Sequence, residues 1–175
     1  MKTIHEERLK NWIPHPSMRG QFAYHLYKAM AEDDRIFLLV GDLGFGIFDP
    51  HREDFPEQFI NCGAAEQTML DMAVGMAYEG KIPFCYSITP FILARPYETI
   101  RIYINQEKPH LVLLGSGRDS DYVHDGFTHH AFDAIKIMEN FKNIDSRFPE
   151  KAEDLEEILY DIFKVKKPYF LSLKR

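Results

Sequence analysis

The stretch Asn61-Cys62-Gly63-Ala64-Ala65-Glu66-Gln67-Thr68-Met69-Leu70 places an acidic side chain where a strand meets a helix. Before it, Phe59 and Ile60 are typical of the end of a short strand, and Gly63 allows a tight turn. Apolar residues then recur at three- and four-residue spacing and predict an amphipathic helix that ends near Gly80: Met69, Leu70, Ala73, Val74 and Ala77. Glu66 is therefore expected in the first helical turn. The helix dipole alone would favour a carboxylate there, so a ligand-binding role is one of two interpretations.

Composition narrows the class of protein. A chain of 175 residues with 45% hydrophobic content can bury one core, which predicts a single main domain. The net charge of −6 argues against a nucleic-acid partner. No apolar run approaches the roughly 20 residues of a membrane span, and the N-terminus lacks the apolar core of a secretion signal. Cys62 and Cys85 lie in apolar segments and are expected to be core residues in a reducing compartment, the cytoplasm.

Strand and helix patterns alternate along most of the chain. Residues 1–17 are polar and interrupted by proline, so they are expected to form an arm or packing extension, and Ser17 is a candidate N-cap. The expected strands are 35–40, one ending at 59–60, 82–86, 110–114, 143–145 and 169–173; the expected helices begin after Ser17 or cover 66–80, 96–105, 131–140 and 152–165. This alternation predicts an α/β fold: a doubly wound, mostly parallel sheet with helices on both faces.

Ligands in such sheets bind beyond the carboxyl ends of the strands. The segments that follow strands in this chain contain Asp42, Glu66, residues 88–91 and residues 119–129. We therefore expect these segments to meet at one edge of the sheet and to form the functional site.

The motifs around Glu66 resemble the pyrimidine-binding (Pyr) domain of the transketolase family. They are Gly-Ala-Ala-Glu-Gln-Thr-Met at 63–69, Ala-Val-Gly-Met-Ala at 73–77 and Gly-Lys-Ile-Pro-Phe at 80–84, and the likeness extends over 18–175. The resemblance implies thiamine diphosphate as the cofactor, with Glu66 as the family glutamate. That residue hydrogen-bonds the pyrimidine N1′ and promotes the imino tautomer, a role that a raised pKa in a dry cleft would favour.

The family stacks the aminopyrimidine on aromatic residues of the segment that matches residues 86–95 here. Phe91 falls on a stacking position, whereas Ile88 and Ala94 replace the neighbouring aromatics. Phe91 as an ordinary core residue is an equally good interpretation of the spacing. Arg95, which opens the next helix as in relatives, is grouped with the cofactor-binding residues. Glu98 is expected to form a structural ion pair with Arg95 or with a second arginine, Arg101.

A further cofactor contact is implied for the first loop. Asp42 matches the family position close to the thiazolium ring. A role in capping the loop is the competing interpretation.

The segment Gly117–His130 resembles the transketolase loop His-Asp-Ser…Asp-Gly-Pro-Thr-His-Gln. By this match, Asp125 grips a sugar hydroxyl and His129 lies near the reacting carbonyl, where an imidazole can move a proton. The chain departs from the family at three positions of this loop: Arg118, Phe127 and His130. A metal site is an alternative for the cluster of candidate ligands, which are His124, Asp125, His129 and His130.

Arginines indicate an anionic substrate. Arg19 and Arg175 match phosphate-contacting arginines of transketolases, and Arg118 is a candidate for a further contact, since a planar guanidinium suits phosphate or carboxylate. The serine that accompanies them in the family is Gly46 here. A small, anionic, sugar-like substrate is therefore expected, with its anion placed differently from that of a pentose phosphate.

The sequence lacks the Gly-Asp-Gly and Asn-Asn pair through which thiamine enzymes hold a metal and the diphosphate; Gly41-Asp42-Leu43-Gly44 has only part of it. The resemblance therefore implies a separate subunit with the diphosphate-binding (PP) domain, paired as two copies of each chain. Mg²⁺ or Ca²⁺ would be held mainly by that partner, and no metal site is assigned to this chain.

Three functions remain open. The first is the small subunit of a split transketolase, active only with its partner and moving a two-carbon ketol unit between sugar-like substrates. The second is a thiamine-dependent decarboxylase or synthase, resembling deoxyxylulose-phosphate synthase or a 2-oxoacid dehydrogenase beta subunit. The third is a non-catalytic assembly or regulatory subunit.

Overall fold

The computed structural model describes residues 2–175, and it centres on one six-stranded sheet in which every pairing is parallel. The strands are β1 (Ile36–Val40), β2 (Phe59–Asn61), β3 (Ile82–Ile88), β4 (Val112–Ser116), β5 (Asp145–Arg147) and β6 (Tyr169–Leu173), in the spatial order β2-β1-β3-β4-β6-β5. The order reverses between β1 and β3, which is where ligands bind in doubly wound sheets. The predicted fold class is confirmed.

Helices cover both faces of this sheet. They are α1 (Lys2–Asn11), α2 (Met18–Glu32), α3 (Asp49–Asp54), α4 (Glu66–Tyr78), α5 (Thr89–Ala94), α6 (Tyr97–Thr99), α7 (Asn105–Glu107), α8 (Ala134–Met138) and α9 (Leu155–Lys164), with a π-helical turn Ile100–Ile104 between α6 and α7. Strands β1, β3, β4 and β6 are buried or nearly so along their length because apolar cores lie on both sides of them. Over residues 2–175 no helix combines the length and apolarity that crossing a membrane would need.

Most elements lie where the sequence predicts them. The side chain of Ser17 accepts a hydrogen bond from the backbone N of Gly20 at 3.2 Å and so caps α2 as expected. Strand β6 has the predicted bounds, β3 continues two residues further to Ile88, and β4 begins two residues later than predicted, at Val112. The helices α3 and α5 are not predicted, because each has only six residues and no clear apolar period.

The N-terminal arm is a packing extension. It contains the helix α1, whose Arg8 pairs with Asp54 at the end of α3 at 2.8 Å. Tyr27 of α2 donates to the same carboxylate at 2.6 Å, and His5 stacks on Phe55 with 4.5 Å between ring centroids. The arm therefore holds α2 and α3 together. It packs on the face of the sheet whose apolar core contains Phe22, Tyr27 and Phe55.

Candidate functional site

Glu66 is the first residue of α4 and its side chain is turned into the protein, with 1% of its surface exposed. The hydroxyl of Ser87, on β3, donates to Oε1 of Glu66 at 2.7 Å. A guanidinium nitrogen of Arg95 donates to Oε2 at 2.6 Å. Gly41 lies beside the carboxylate, and a Cβ at that position would come within 3.2 Å of Oε1. The fold therefore holds one buried carboxylate at the strand edge, with one oxygen fixed by a hydroxyl and the other facing a cation.

This environment corrects the expected protonation of Glu66. Burial is the largest influence and raises the pKa of the carboxyl, but the hydrogen bonds from Arg95, Ser87 and the backbone of Glu66, together with the charge of Arg95, outweigh it. The pKa of Glu66 is lowered from its ordinary value. The predicted rise is therefore wrong for the chain by itself, because the sequence does not reveal that a guanidinium reaches the carboxylate.

Arg95 and Phe91 form the wall of the site next to Glu66. The guanidinium carbon of Arg95 lies 3.9 Å from the centroid of the Phe91 ring, a close cation–π contact. His129 packs on Phe91 as well, with the ring centroids 4.9 Å apart. The predicted ion pair of Glu98 with Arg95 or Arg101 is wrong, since Arg95 pairs with Glu66 and no ion pair within residues 2–175 contains Glu98.

Two residues implied as cofactor contacts, Ile88 and Asp42, are less available to a ligand than expected, because one is buried and the other is hydrogen-bonded within the protein. Ile88, at the end of β3, has 6% of its surface exposed and offers a ligand only a small apolar area. Asp42 exchanges two hydrogen bonds with Asn61, each at 3.1 Å, in a left-handed backbone conformation with φ of 56°. These contacts favour the loop-capping interpretation of Asp42.

Gly117–His130 forms a loop whose ends are tied to the sheet edge. Asp119 and Ala131 form an isolated antiparallel bridge, and Thr89 donates to the carbonyl of Gly117 at 2.5 Å. Between these ends lie two short 3₁₀ turns, Val123–Asp125 and Phe127–His129. The second turn carries His129 to Phe91, whereas Asp125 stays exposed.

Arg19, Tyr122 and Arg175 form a cationic cluster beside this loop. Arg19 donates to the hydroxyl of Tyr122 at 3.4 Å, and the guanidinium of Arg175 lies 4.8 Å from the centre of the same ring. The Nε of Arg19 is buried and has no hydrogen-bond partner among residues 2–175. Tyr122 also approaches His129, with 6.1 Å between ring centroids. The two arginines predicted to bind an anion are thus brought to one place, next to the proposed catalytic histidine.

The structure corrects the predicted role of Arg118 as a substrate contact. Its side chain is buried and donates to Glu150, to the backbone oxygens of Pro149 and Ser172, and to the Ser172 hydroxyl, at 2.9 to 3.2 Å. These partners commit the guanidinium to joining the loop to β6. A substrate anion would have to replace several of them, so the structure gives Arg118 a structural role.

The candidate metal ligands of the loop, His124, Asp125, His129 and His130, are not arranged around a common point. Among residues 2–175, no group of three or more His, Cys, Asp or Glu side chains is arranged to hold a metal ion. The alternative of a metal site in the loop therefore finds no support.

Three contributors to the site escape the sequence analysis: Gly41, Ser87 and Tyr122. Ser87 and Tyr122 have ordinary side chains in segments that are also typical of a strand and a loop, and nothing local distinguishes them. Ser87 lies on the same strand as the predicted stacking segment, so its position at the strand's carboxyl end is the one available signal.

The fold and these contacts define a parallel α/β domain with a buried carboxylate and a cluster of two arginines at the carboxyl edge of its sheet. Residues 15–175 match the family model described as "Transketolase, pyrimidine binding domain", and the chain belongs to that family. The predicted family is confirmed.

Several relatives of this chain are named as transketolase subunits. The chain is 27% identical over 124 residues to a subunit of the apulose-4-phosphate transketolase of Actinobacillus succinogenes, covering 71% of this chain and 40% of that protein. It is 26% identical over 159 residues to a 6-deoxy-6-sulfo-D-fructose transketolase subunit of a Clostridium species, covering 90% and 49%. The chain thus spans half or less of the length of these relatives.

A solved structure described as "Split gene transketolase, inactive beta4 tetramer" has the same fold. It superimposes with a TM-score of 0.79 at 25% identity, covering 91% of this chain and 51% of that one.

Proposed function

We propose that this chain is the Pyr subunit of a thiamine-diphosphate-dependent transketolase and helps to move a two-carbon ketol unit between anionic, sugar-like substrates. The observation that carries the proposal is the buried carboxylate of Glu66, which borders the same small space as the Phe91 ring. Membership of the transketolase family makes this the place where an aminopyrimidine would bind.

The residues present fit that ring. The guanidinium of Arg95, a planar group with N–H donors, already packs on Phe91 while donating to Glu66. The space therefore accepts a flat group that stacks on one side and hydrogen-bonds at its edge. When bound, thiamine diphosphate would supply a nucleophilic carbanion at its thiazolium ring.

The chain's own residues would divide the remaining work. Glu66 holds a proton at its Oε2 for the hydrogen bond to the ring nitrogen, with Oε1 fixed by Ser87. In this proposal His129, whose ring packs on Phe91, would exchange a proton with the carbonyl oxygen of a sugar, and the exposed Asp125 would accept a hydrogen bond from a sugar hydroxyl.

Charge supports an anionic substrate. Arg19 and Arg175 converge on Tyr122, and the buried Nε of Arg19 has no hydrogen-bond partner among residues 2–175, which favours an acceptor oxygen from a ligand there. The names of the two relatives contain a phosphate and a sulfo group, which is consistent with an anion at this end of the substrate.

A partner chain completes the site in this proposal. It carries the PP domain and the metal, Mg²⁺ or Ca²⁺, and the assembly contains two copies of each chain. Both relatives are named as subunits, which supports a divided enzyme.

The test is to co-purify the chain with a partner carrying Gly-Asp-Gly and Asn-Asn motifs and to measure ketol transfer. Glu66→Ala and Glu66→Gln are expected to lower kcat by roughly 10²- to 10⁴-fold, because neither side chain donates an acidic proton. Glu98→Gln, on the exposed surface of α6, is the matched control and should leave turnover unchanged. Wild-type turnover in both Glu66 variants would refute the proposal.

A further inference from the structure

Arg95 makes two contacts at once, and both are contacts that a thiamine ring would need. Its guanidinium carbon lies 3.9 Å from the centroid of Phe91, and its Nη1 donates to Oε2 of Glu66 at 2.6 Å. Oε1 of Glu66 is already taken by Ser87, so Oε2 is the oxygen left for a ligand. One planar cation therefore covers both the aromatic face and the free oxygen.

We infer that Arg95 occupies the aminopyrimidine position in the cofactor-free chain and must swing away before the cofactor ring can bind. This inference rests on the proposed function and goes beyond it, because it makes Arg95 a competitor of the cofactor and not one of its ligands. Two flat groups cannot stack on the same face of Phe91 and share the same oxygen of Glu66.

The surroundings allow this movement. The side chain of Arg95 is 45% exposed, whereas that of Glu66 is 1% exposed, so the arginine is the mobile member of the pair. A groove of about 690 Å³ begins at Phe91 and Arg95 and is also lined by Ala94, Phe127 and Asp133. Ala94 stands where the family has an aromatic residue, which leaves room in this groove. The carboxylate of Asp133 offers a displaced guanidinium a new charged neighbour.

Displacement would also prepare Glu66 for its chemical role. Burial raises the pKa of Glu66, and Arg95 opposes it through both a hydrogen bond and its charge, next to smaller effects of Ser87 and the Glu66 backbone. Once the guanidinium leaves, the effect of burial is opposed only by the hydrogen bonds from Ser87 and the Glu66 backbone, and the carboxyl group retains a proton more readily. The same movement thus opens the ring position and favours the protonated acid that the ring requires.

The experiment measures binding of the free aminopyrimidine half of thiamine to the chain by calorimetry. Arg95→Ala is expected to bind it about three- to tenfold more tightly than wild type, because no ion pair has to be broken. Arg95→Lys keeps the charge but cannot stack as a plane, so it should fall between the two. Arg101→Ala, an exposed arginine on the following π-helical turn, is the matched control and should bind like wild type.

NMR of the Glu66 carboxyl carbon supplies a signature that a merely structural role would not produce. In wild type the pKa of Glu66 should rise when the aminopyrimidine is added, and in Arg95→Ala it should be raised before addition. Circular dichroism of each variant confirms that the fold is retained.

Equal or weaker binding by Arg95→Ala, with wild type binding, would overturn the inference and leave the proposed function standing. No binding by any variant at millimolar ligand, to the chain alone or to its co-purified complex, would overturn the inference together with the pyrimidine site. Failure of the proposed function alone is recognised separately, by ketol transfer that does not depend on Glu66.

Discussion

The two halves of the site differ in how much of their structure this chain supplies. Around Glu66 the carboxylate and its donor Ser87 are buried, and the contacts come from several elements: α4, β3 and, through the half-exposed Arg95, the end of α5. In Gly117–His130 the proposed substrate contact Asp125 is exposed and His129 is only partly buried, while Phe127 in the same loop is 86% exposed. The half around Glu66 is therefore fixed by contacts between helices and strands. The other half lies on an exposed loop that contains only two short 3₁₀ turns.

This difference teaches where mutations should act on stability and where they should act on function alone. Removing a partner from the buried half leaves an unsatisfied polar group, which destabilises the fold. Removing an exposed side chain of the loop changes little in the fold, so its effect should appear in substrate binding.

In this comparison of buried and exposed residues, the largest effect is expected from Asp125. In the co-purified enzyme, Asp125→Ala should raise KM for the sugar substrate by about ten- to a hundredfold, because it removes a charge-assisted hydrogen bond worth roughly 1.5–3 kcal/mol. The melting temperature should stay unchanged, since the side chain is exposed. His124→Ala, next to it in the same turn, is the control. A large loss of stability in Asp125→Ala would contradict the contrast between the two halves.

Ser87 tests the buried half. Ser87→Ala leaves Oε1 of Glu66 without its hydroxyl donor and should lower the free energy of unfolding by about 1–3 kcal/mol, measured by urea denaturation of the chain. Ser120→Ala, on the exposed loop, should change it by less than about 0.5 kcal/mol. Equal stability of the two variants would show that Glu66 finds another donor.

The loss of stability at low pH should also depend on a buried residue, His51. His51 is fully buried among aromatic rings, including Trp12, Tyr27 and Phe48. Burial lowers the pKa of His51 to about 3, with a partial offset from the backbone of Ala23 and from Asp54. The neutral ring is therefore the folded form, and this contribution to stability is present above the ordinary pKa of 6.5 and is lost as the pH falls from 6.5 towards 3.

The measurement is the free energy of unfolding at a series of pH values. His51→Phe should reduce its slope below pH 6.5 by about 1 kcal/mol per pH unit, near the limit for one proton. Ser120→Ala, which removes no titratable group and lies on the exposed loop, is the control and should leave the slope unchanged. The lowered pKa of Glu66 acts in the same direction but only below its ordinary value of 4.5, so the two residues can be separated by pH. If the slope of unfolding free energy against pH is the same in His51→Phe and wild type, His51 is not the group responsible for the loss of stability below pH 6.5.

The smallest effect is expected on the outer surface of the helix that begins with Glu66. Gly75 lies inside α4, and a Cβ added there meets no atom within 4 Å. Gly75→Ala should therefore stabilise the chain by about 0.5–1 kcal/mol through helix propensity. Gly41→Ala is the contrasting variant, because its Cβ would crowd both Glu66 and Ser87 at 3.2 Å. It should destabilise the chain, and a stable Gly41→Ala would mean that the carboxylate can move.

Much of the architecture follows from local patterns. Continuous apolar runs such as 36–40 predict buried parallel strands, and the period after Glu66 predicts α4, because each of these elements must bury its own apolar face. The short helices α3 and α5 could not be predicted, since six residues are too few to show a period. The arm is predicted as a packing extension, but its helical form is not, because Pro14 and Pro16 dominate the pattern just after α1 ends.

The sequence by itself determined the parallel α/β fold, the family and the location of the candidate residues at one edge of the sheet. These depend on apolar periods and on short motifs, which are local properties of the chain. Only the tertiary structure decided what each charged side chain touches. Arg95 reaches Glu66 across 29 residues and Arg118 reaches Ser172 across 54, although the sequence predicts that both arginines face ligands. A long arginine side chain can reach any of several acceptors that are distant in the sequence. In the folded chain it pairs with a buried acceptor, because a buried acceptor without a donor costs free energy.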